Sequence, residues 1–127
     1  MADVNRGNRP LSPHLTVWKW DIGMATSILT RITGNGLIVA MLLAVWWLLA
    51  AASGPDYFDT VNWIATSWLG ILIWVGSLWA IWYHTLAGIR HLIWDTATAL
   101  DLKTAHMLGW VCVGGSLVLT LLTLLLI

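Results

Sequence analysis

The densest group of residues able to do chemistry reads His84-Thr85-Leu86-Ala87-Gly88-Ile89-Arg90-His91-Leu92-Ile93-Trp94-Asp95. On a helix, His84, Gly88 and His91 share one face at i, i+4 and i+7. A histidine with a glycine one turn on suits haem: the imidazole can bind iron, and the missing side chain lets the porphyrin lie close to the backbone. Helical rise sets His84 roughly 9 Å deeper than Arg90, so iron could sit at depth while the anionic propionates meet Arg90 and His91 nearer the surface. His84 and His91 are about 10.5 Å apart along one face. Axial ligands approach iron from opposite sides, so these two cannot serve the same haem. A second ligand must come from another helix, through His106 or through a histidine of a second subunit. The plainer alternative is that His84 hydrogen-bonds a neighbouring helix, that Arg90 is an interfacial arginine paired with Asp95, and that His106 is an interfacial residue.

A second constellation is Ser27-Ile28-Leu29-Thr30-Arg31-Ile32-Thr33-Gly34. Ser27 and Arg31, at i and i+4, present a hydroxyl and a fixed positive charge on one side of a helix, where a lipid-soluble ligand would meet the interface. Such a pair can hydrogen-bond a quinone carbonyl and stabilise negative charge developing on it. The alternative is that Ser27 begins or caps the helix and Arg31 binds phospholipid headgroups.

The elements that must position these groups follow from where the charges fall. Of 127 residues, 59% are hydrophobic and only 9% charged, against about 25% charged in soluble domains. Six Lys and Arg balance six Asp, so no basic field points to nucleic acid. The lone Cys112 forms no internal disulfide and holds no iron–sulfur cluster by itself. Ile32 to Ala52, Trp63 to Tyr83 and Met107 to Ile127 are each uncharged for 21 residues, the length of helix that crosses a roughly 30 Å hydrocarbon core. The predicted fold is all-α, a single membrane-anchor domain over 1–127 with an arm over 1–21 and spans at approximately 27–52, 63–90 and 105–127. Arg6, Arg9, Lys19 and Arg31 precede the first span, and Arg90 and Lys103 flank the second connection, whereas the loop from Ser53 to Asn62 carries only Asp56 and Asp59. By the positive-inside rule the N-terminus is cytoplasmic and the C-terminus periplasmic. Trp18, Trp20, Trp63, Trp94 and Trp110 are expected at interfaces, and Trp74, Trp79 and Trp82 in helix packing. Ser53-Gly54-Pro55-Asp56 is expected to stop the first helix. With neither Gly nor Pro between Ile89 and His106, the second helix is expected to project beyond the membrane before turning.

At these residues the chain resembles the cytochrome b membrane-anchor subunit of succinate dehydrogenase, respiratory complex II. Arg9-Pro10-Leu11-Ser12-Pro13-His14-Leu15 resembles the family's N-terminal arm, Ser27 to Gly34 its quinone-site segment, and His84 to Asp95 its HxxxGxRHLxWD haem segment. The resemblance implies a role in succinate:ubiquinone oxidoreduction, with haem b shared with a second hydrophobic anchor subunit, and ubiquinone as substrate. It places FAD on a flavoprotein subunit and the clusters on an iron–sulfur subunit, so that succinate oxidation lies on a partner. It makes His84 one axial ligand, the other being a histidine of the second anchor. Ser27 and Arg31 become quinone-site residues, with Arg31, Arg90 and His91 near the haem propionates. The family usually has histidine immediately before the motif arginine, where this chain has Thr30. The short arm with Asp3 does not read as a transit peptide, so a bacterial inner membrane is expected rather than a mitochondrial one. Two rivals are a haem b anchor of a quinol:fumarate reductase and a haem-free membrane docking protein.

Overall fold

A computed structural model describes residues 14–127 as four helices. The arm residues up to Pro13, including Arg6, Arg9 and most of the Arg9 to Leu15 segment, lie outside the described residues. Helix α1 spans Ile22–Ser53, α2 Pro55–Ala65, α3 Trp68–Asp95 and α4 Leu102–Leu126. Three of them, α1, α3 and α4, are long and apolar enough to cross a membrane.

The ends of these helices are set by local chemistry. Asp21 caps α1, its Oδ1 accepting from the Gly23 amide at 2.7 Å. The helix therefore begins five residues before Ser27, which is neither its first residue nor its cap. Gly54 ends it at φ 135°, a backbone region open chiefly to glycine. The segment from Ser53 to Asn62, read as a loop, is mostly helical: Pro55 starts α2 where its missing N–H costs nothing, and Asp56 adds an acid to the first turn. On the other side of the molecule α3 continues to Asp95, past the arginine and histidine of its motif. The following turn is closed without Gly or Pro, by Ala97 at φ 57° and Ala99 at φ 56°.

Asp101, outside the apolar spans, caps α4 by accepting from the Thr104 amide at 2.9 Å. That backbone N–H holds its carboxyl below the ordinary 3.8. A depressed folded value means the cap contributes fully above the unfolded value and is lost as pH falls through the folded one. Asp101→Ala is expected to lower the thermal midpoint at pH 7 by a few degrees and to flatten the acid limb of the stability curve. Melts of the detergent-solubilised protein at pH 7 and in the acid range read both effects.

Small residues let the helices approach. On α4, Gly109, Cys112, Ser116 and Thr120 are buried, and on α3, Ala80 and Ala87, which flank the large buried Tyr83. In lipid, where apolar burial gives little drive between helices, such close contact and interhelical hydrogen bonds hold the bundle. Trp79 Nε1 donates to Ser116 Oγ and Trp82 Nε1 to Thr123 Oγ1, both at 3.0 Å. These two tryptophans do pack between helices as expected. Trp63 and Trp110 stay exposed, whereas Trp94 is half-buried and donates to the Ala99 carbonyl at 3.2 Å.

Candidate functional site

The N-terminal end of α1 meets the C-terminal end of α3 through a stripe of threonines. Thr26, Thr30 and Thr33 stand at i, i+4 and i+7 and so share one face. Tyr83 Oη donates to the Thr26 carbonyl at 2.7 Å, and Arg90 Nη1 donates to Thr26 Oγ1 at 3.0 Å. The Arg90 guanidinium also lies 4.5 Å from the centre of the Trp94 ring, a cation–π arrangement. The motif arginine is therefore buried, at 4% exposure, and is not a snorkelling surface residue. Its Nε has no hydrogen-bond partner, and no carboxylate stands within ion-pair distance of it among the described residues. Asp95, the partner of the plainer alternative, is exposed at the end of α3.

Arg90 opens onto a cavity of about 450 Å³ that Ser27, Arg31 and His91 also line. Four of the five sequence-predicted site residues thus converge, from two helices. Ser27 and Arg31 are exposed, and neither side chain hydrogen-bonds to the described residues. His91 is exposed and stands edge-on to Trp94 at 5.3 Å between ring centres. Thr30 lines the same cavity, but its hydroxyl hydrogen goes to the Thr26 carbonyl at 2.8 Å. At the cavity mouth, His106 Nε2 meets Asp21 Oδ2 at 2.9 Å. His106 thus ties α4 to the cap of α1, its Nε2 engaged by the Asp21 carboxylate.

His84 is the predicted residue that the cavity does not include. It sits deeper, in the groove between α1 and α3, half-buried. Its Nδ1 lies 2.9 Å from Thr33 Oγ1, so it does hydrogen-bond a neighbouring helix. Its Nε2 faces Gly34, where an added Cβ would stand 3.4 Å away. Gly88, one turn beyond His84, is exposed, and a Cβ there would meet nothing within 4 Å. One ring nitrogen is engaged, the other borders glycine, and the helix surface beside it is bare. Those features fit one axial side of a haem. Among the described residues no three His, Cys or Asp side chains could hold a metal ion.

The roles of Thr26, Thr33 and Tyr83 and the Asp21–His106 pair were not read from the sequence. The threonine spacing on α1 was a visible signal, since hydroxyls repeated on one face of an apolar helix mark a side that meets another helix.

All-helical in the elements of its described residues, with three helices long and apolar enough to cross a membrane, the chain belongs to the class of multi-span membrane anchors. The model of the succinate dehydrogenase/fumarate reductase transmembrane subunit family matches residues 5–123. The succinate dehydrogenase cytochrome b556 subunit of Paracoccus denitrificans is 51% identical over 98% of this chain and 95% of its own length. The cytochrome b556 subunit of Rickettsia conorii is 38% identical over 90% of this chain and 89% of its own. The mitochondrial cytochrome b560 subunit of Sus scrofa is 34% identical over 91% and 68%. The chain belongs to this family, as a cytochrome b membrane-anchor subunit of succinate dehydrogenase. Three apolar helices and bacterial relatives of this kind point to a multi-pass inner-membrane protein.

Proposed function

We propose that this chain, with a second hydrophobic anchor subunit, binds haem b through His84 and forms part of a ubiquinone-reduction site through Ser27 and Arg31. A flavoprotein subunit and an iron–sulfur subunit carry succinate oxidation and deliver the electrons, and the cavity end of the bundle faces the cytoplasm of a bacterial cell. The observation that carries this reading is the Arg90 guanidinium: buried, without a carboxylate partner among the described residues, its Nε unbonded, and open to a cavity that it shares with Arg31. A buried cation without a carboxylate calls for an anion from outside the chain, and haem propionates supply one.

Bound haem supplies a reversible one-electron couple near the quinone, its potential set by ligation and burial. The residues of this chain do the rest. The Ser27 hydroxyl donates to a quinone carbonyl, and Arg31 stabilises negative charge growing on that oxygen as electrons arrive. Two protons from water entering at the cavity mouth complete the change from quinone to quinol. Arg90, fixed by Thr26 and Trp94, and His91 hold the propionates.

A succinate-reduced minus oxidised spectrum of the complex tests the reading: a haem b band supports it, and no band even with dithionite refutes it. Arg90→Met separates anion binding from packing. It is expected to weaken haem retention about tenfold, on the scale of losing a group that supports a metal site. The haem-free complex should melt at the same temperature or higher, because an unpaired buried charge is replaced by an apolar chain of similar length.

A further inference from the structure

We infer that Thr33 is a positioning residue for His84, fixing the tautomer in which Nδ1 carries the hydrogen and Nε2 presents its lone pair. The inference rests on the reading of His84 as a haem ligand and deepens it. Its basis is donor arithmetic at one hydroxyl.

Thr33 Oγ1 lies 2.7 Å from the Leu29 carbonyl and 2.9 Å from His84 Nδ1. A hydroxyl has one hydrogen and accepts through its lone pairs, whereas a carbonyl oxygen only accepts. The hydrogen of Thr33 is therefore committed to Leu29. The bond to the ring must run from Nδ1–H to Thr33 Oγ1, and a neutral imidazole with hydrogen on Nδ1 has a free lone pair on Nε2. Thr33 is 5% exposed, so water does not compete readily for its oxygen. The adjacent Gly34 keeps the Nε2 side of the ring clear of a side chain. Two successive residues of α1 thus flank the ring: one orients it from Nδ1, the other presents no side chain to Nε2.

Metal-bound histidines are commonly oriented by an acceptor for their second ring nitrogen, which also makes the ligating nitrogen more basic. Here that acceptor is a threonine hydroxyl whose hydrogen is held by its own helix. A more basic ligand favours ferric iron, so losing the acceptor should raise the haem potential. The ring should also become freer to turn or change tautomer, which weakens binding.

The test uses the assembled complex with Thr33→Val, which keeps the branched shape and removes the acceptor, and Thr33→Ser, which keeps the oxygen. Haem affinity, the haem midpoint potential and the ferric low-spin resonance spectrum are measured in each. Thr33→Val is expected to weaken haem binding about ten- to a hundredfold, to shift the potential upward and to alter the spectrum. Thr33→Ser should restore all three toward the parent. If Thr33→Val matches the parent in potential, affinity and spectrum while His84→Ala loses haem, the positioning role is wrong and the ligand assignment stands. If His84→Ala also keeps the parent haem spectrum, the ligand assignment fails and takes this inference with it. Should Thr33→Val fail to assemble, Thr33→Ala removes the same acceptor with a smaller side chain: an upward-shifted potential in it that Thr33→Ser does not show supports the role, and a parent-like one overturns it.

Discussion

His84→Ala is expected to abolish the haem b absorbance of the complex, or to leave a small residue of five-coordinate haem, while the membrane subunits still assemble. The side chain is half-buried between α1 and α3 and makes one interhelical hydrogen bond, to Thr33. Removing that bond costs about 1 kcal/mol, which a bundle also held by the Trp79, Trp82 and Tyr83 bonds can tolerate. Removing an axial ligand is far more severe, because no other described histidine can take its place. His91 is two turns away at the cavity, and His106 is engaged by Asp21. Pyridine haemochrome content and the reduced minus oxidised spectrum measure the outcome. A full complement of six-coordinate haem in the variant would exclude His84 as a ligand.

Much of this architecture was legible before any coordinates. Three uncharged stretches of membrane-spanning length mark α1, α3 and α4, because a charge inside lipid is costly and so leaves a trace in composition. The second, from Trp63, nevertheless starts in the end of α2 and crosses the break at Thr66 and Ser67 before α3 begins at Trp68. The convergence of Ser27, Arg31, Arg90 and His91 was also accessible, since i, i+4 spacing fixes neighbours on one helix and interfacial depth matches levels between helices. What spacing does not encode is rotation of one helix against another. That rotation turns Arg90 inward to Thr26 and His84 toward Thr33 and Gly34, while leaving Arg31 outward. Helix α2 was missed because Asp56, Asn62 and a short apolar face resemble a loop by composition, although Pro55 after Gly54 is also a helix start. The turn after α3 was unreadable for a related reason: Ala97 and Ala99 occupy left-handed backbone that sequence assigns to Gly or Asn.

The contrast between the two arginines leads to the second large effect. Arg90 is buried and anchored by Thr26 and Trp94, which on the proposed reading suits a group that stays in place. Arg31 lines the same cavity but is exposed and bonded to none of the described residues, so it is free to meet a ligand that enters from the membrane and leaves again. On the proposed reading a bound quinone displaces water from Arg31, and a donor aimed at developing charge then typically contributes a factor on the order of 100 in rate. Arg31→Ala is therefore expected to lower succinate-driven ubiquinone reduction by about that factor. Electron transfer from succinate to a soluble dye that accepts before the quinone site should remain close to the parent. Arg31→Lys should recover only part of the loss, since a point charge lacks the planar fork of guanidinium. Ser27→Ala should cost less, about five- to tenfold, the scale of one hydrogen bond. Ubiquinone reduction unchanged in Arg31→Ala would remove this side chain from the quinone site and return it to headgroup binding. A parallel fall in both assays would instead place the damage in assembly with the partner subunits, so measuring them together separates the site from the scaffold.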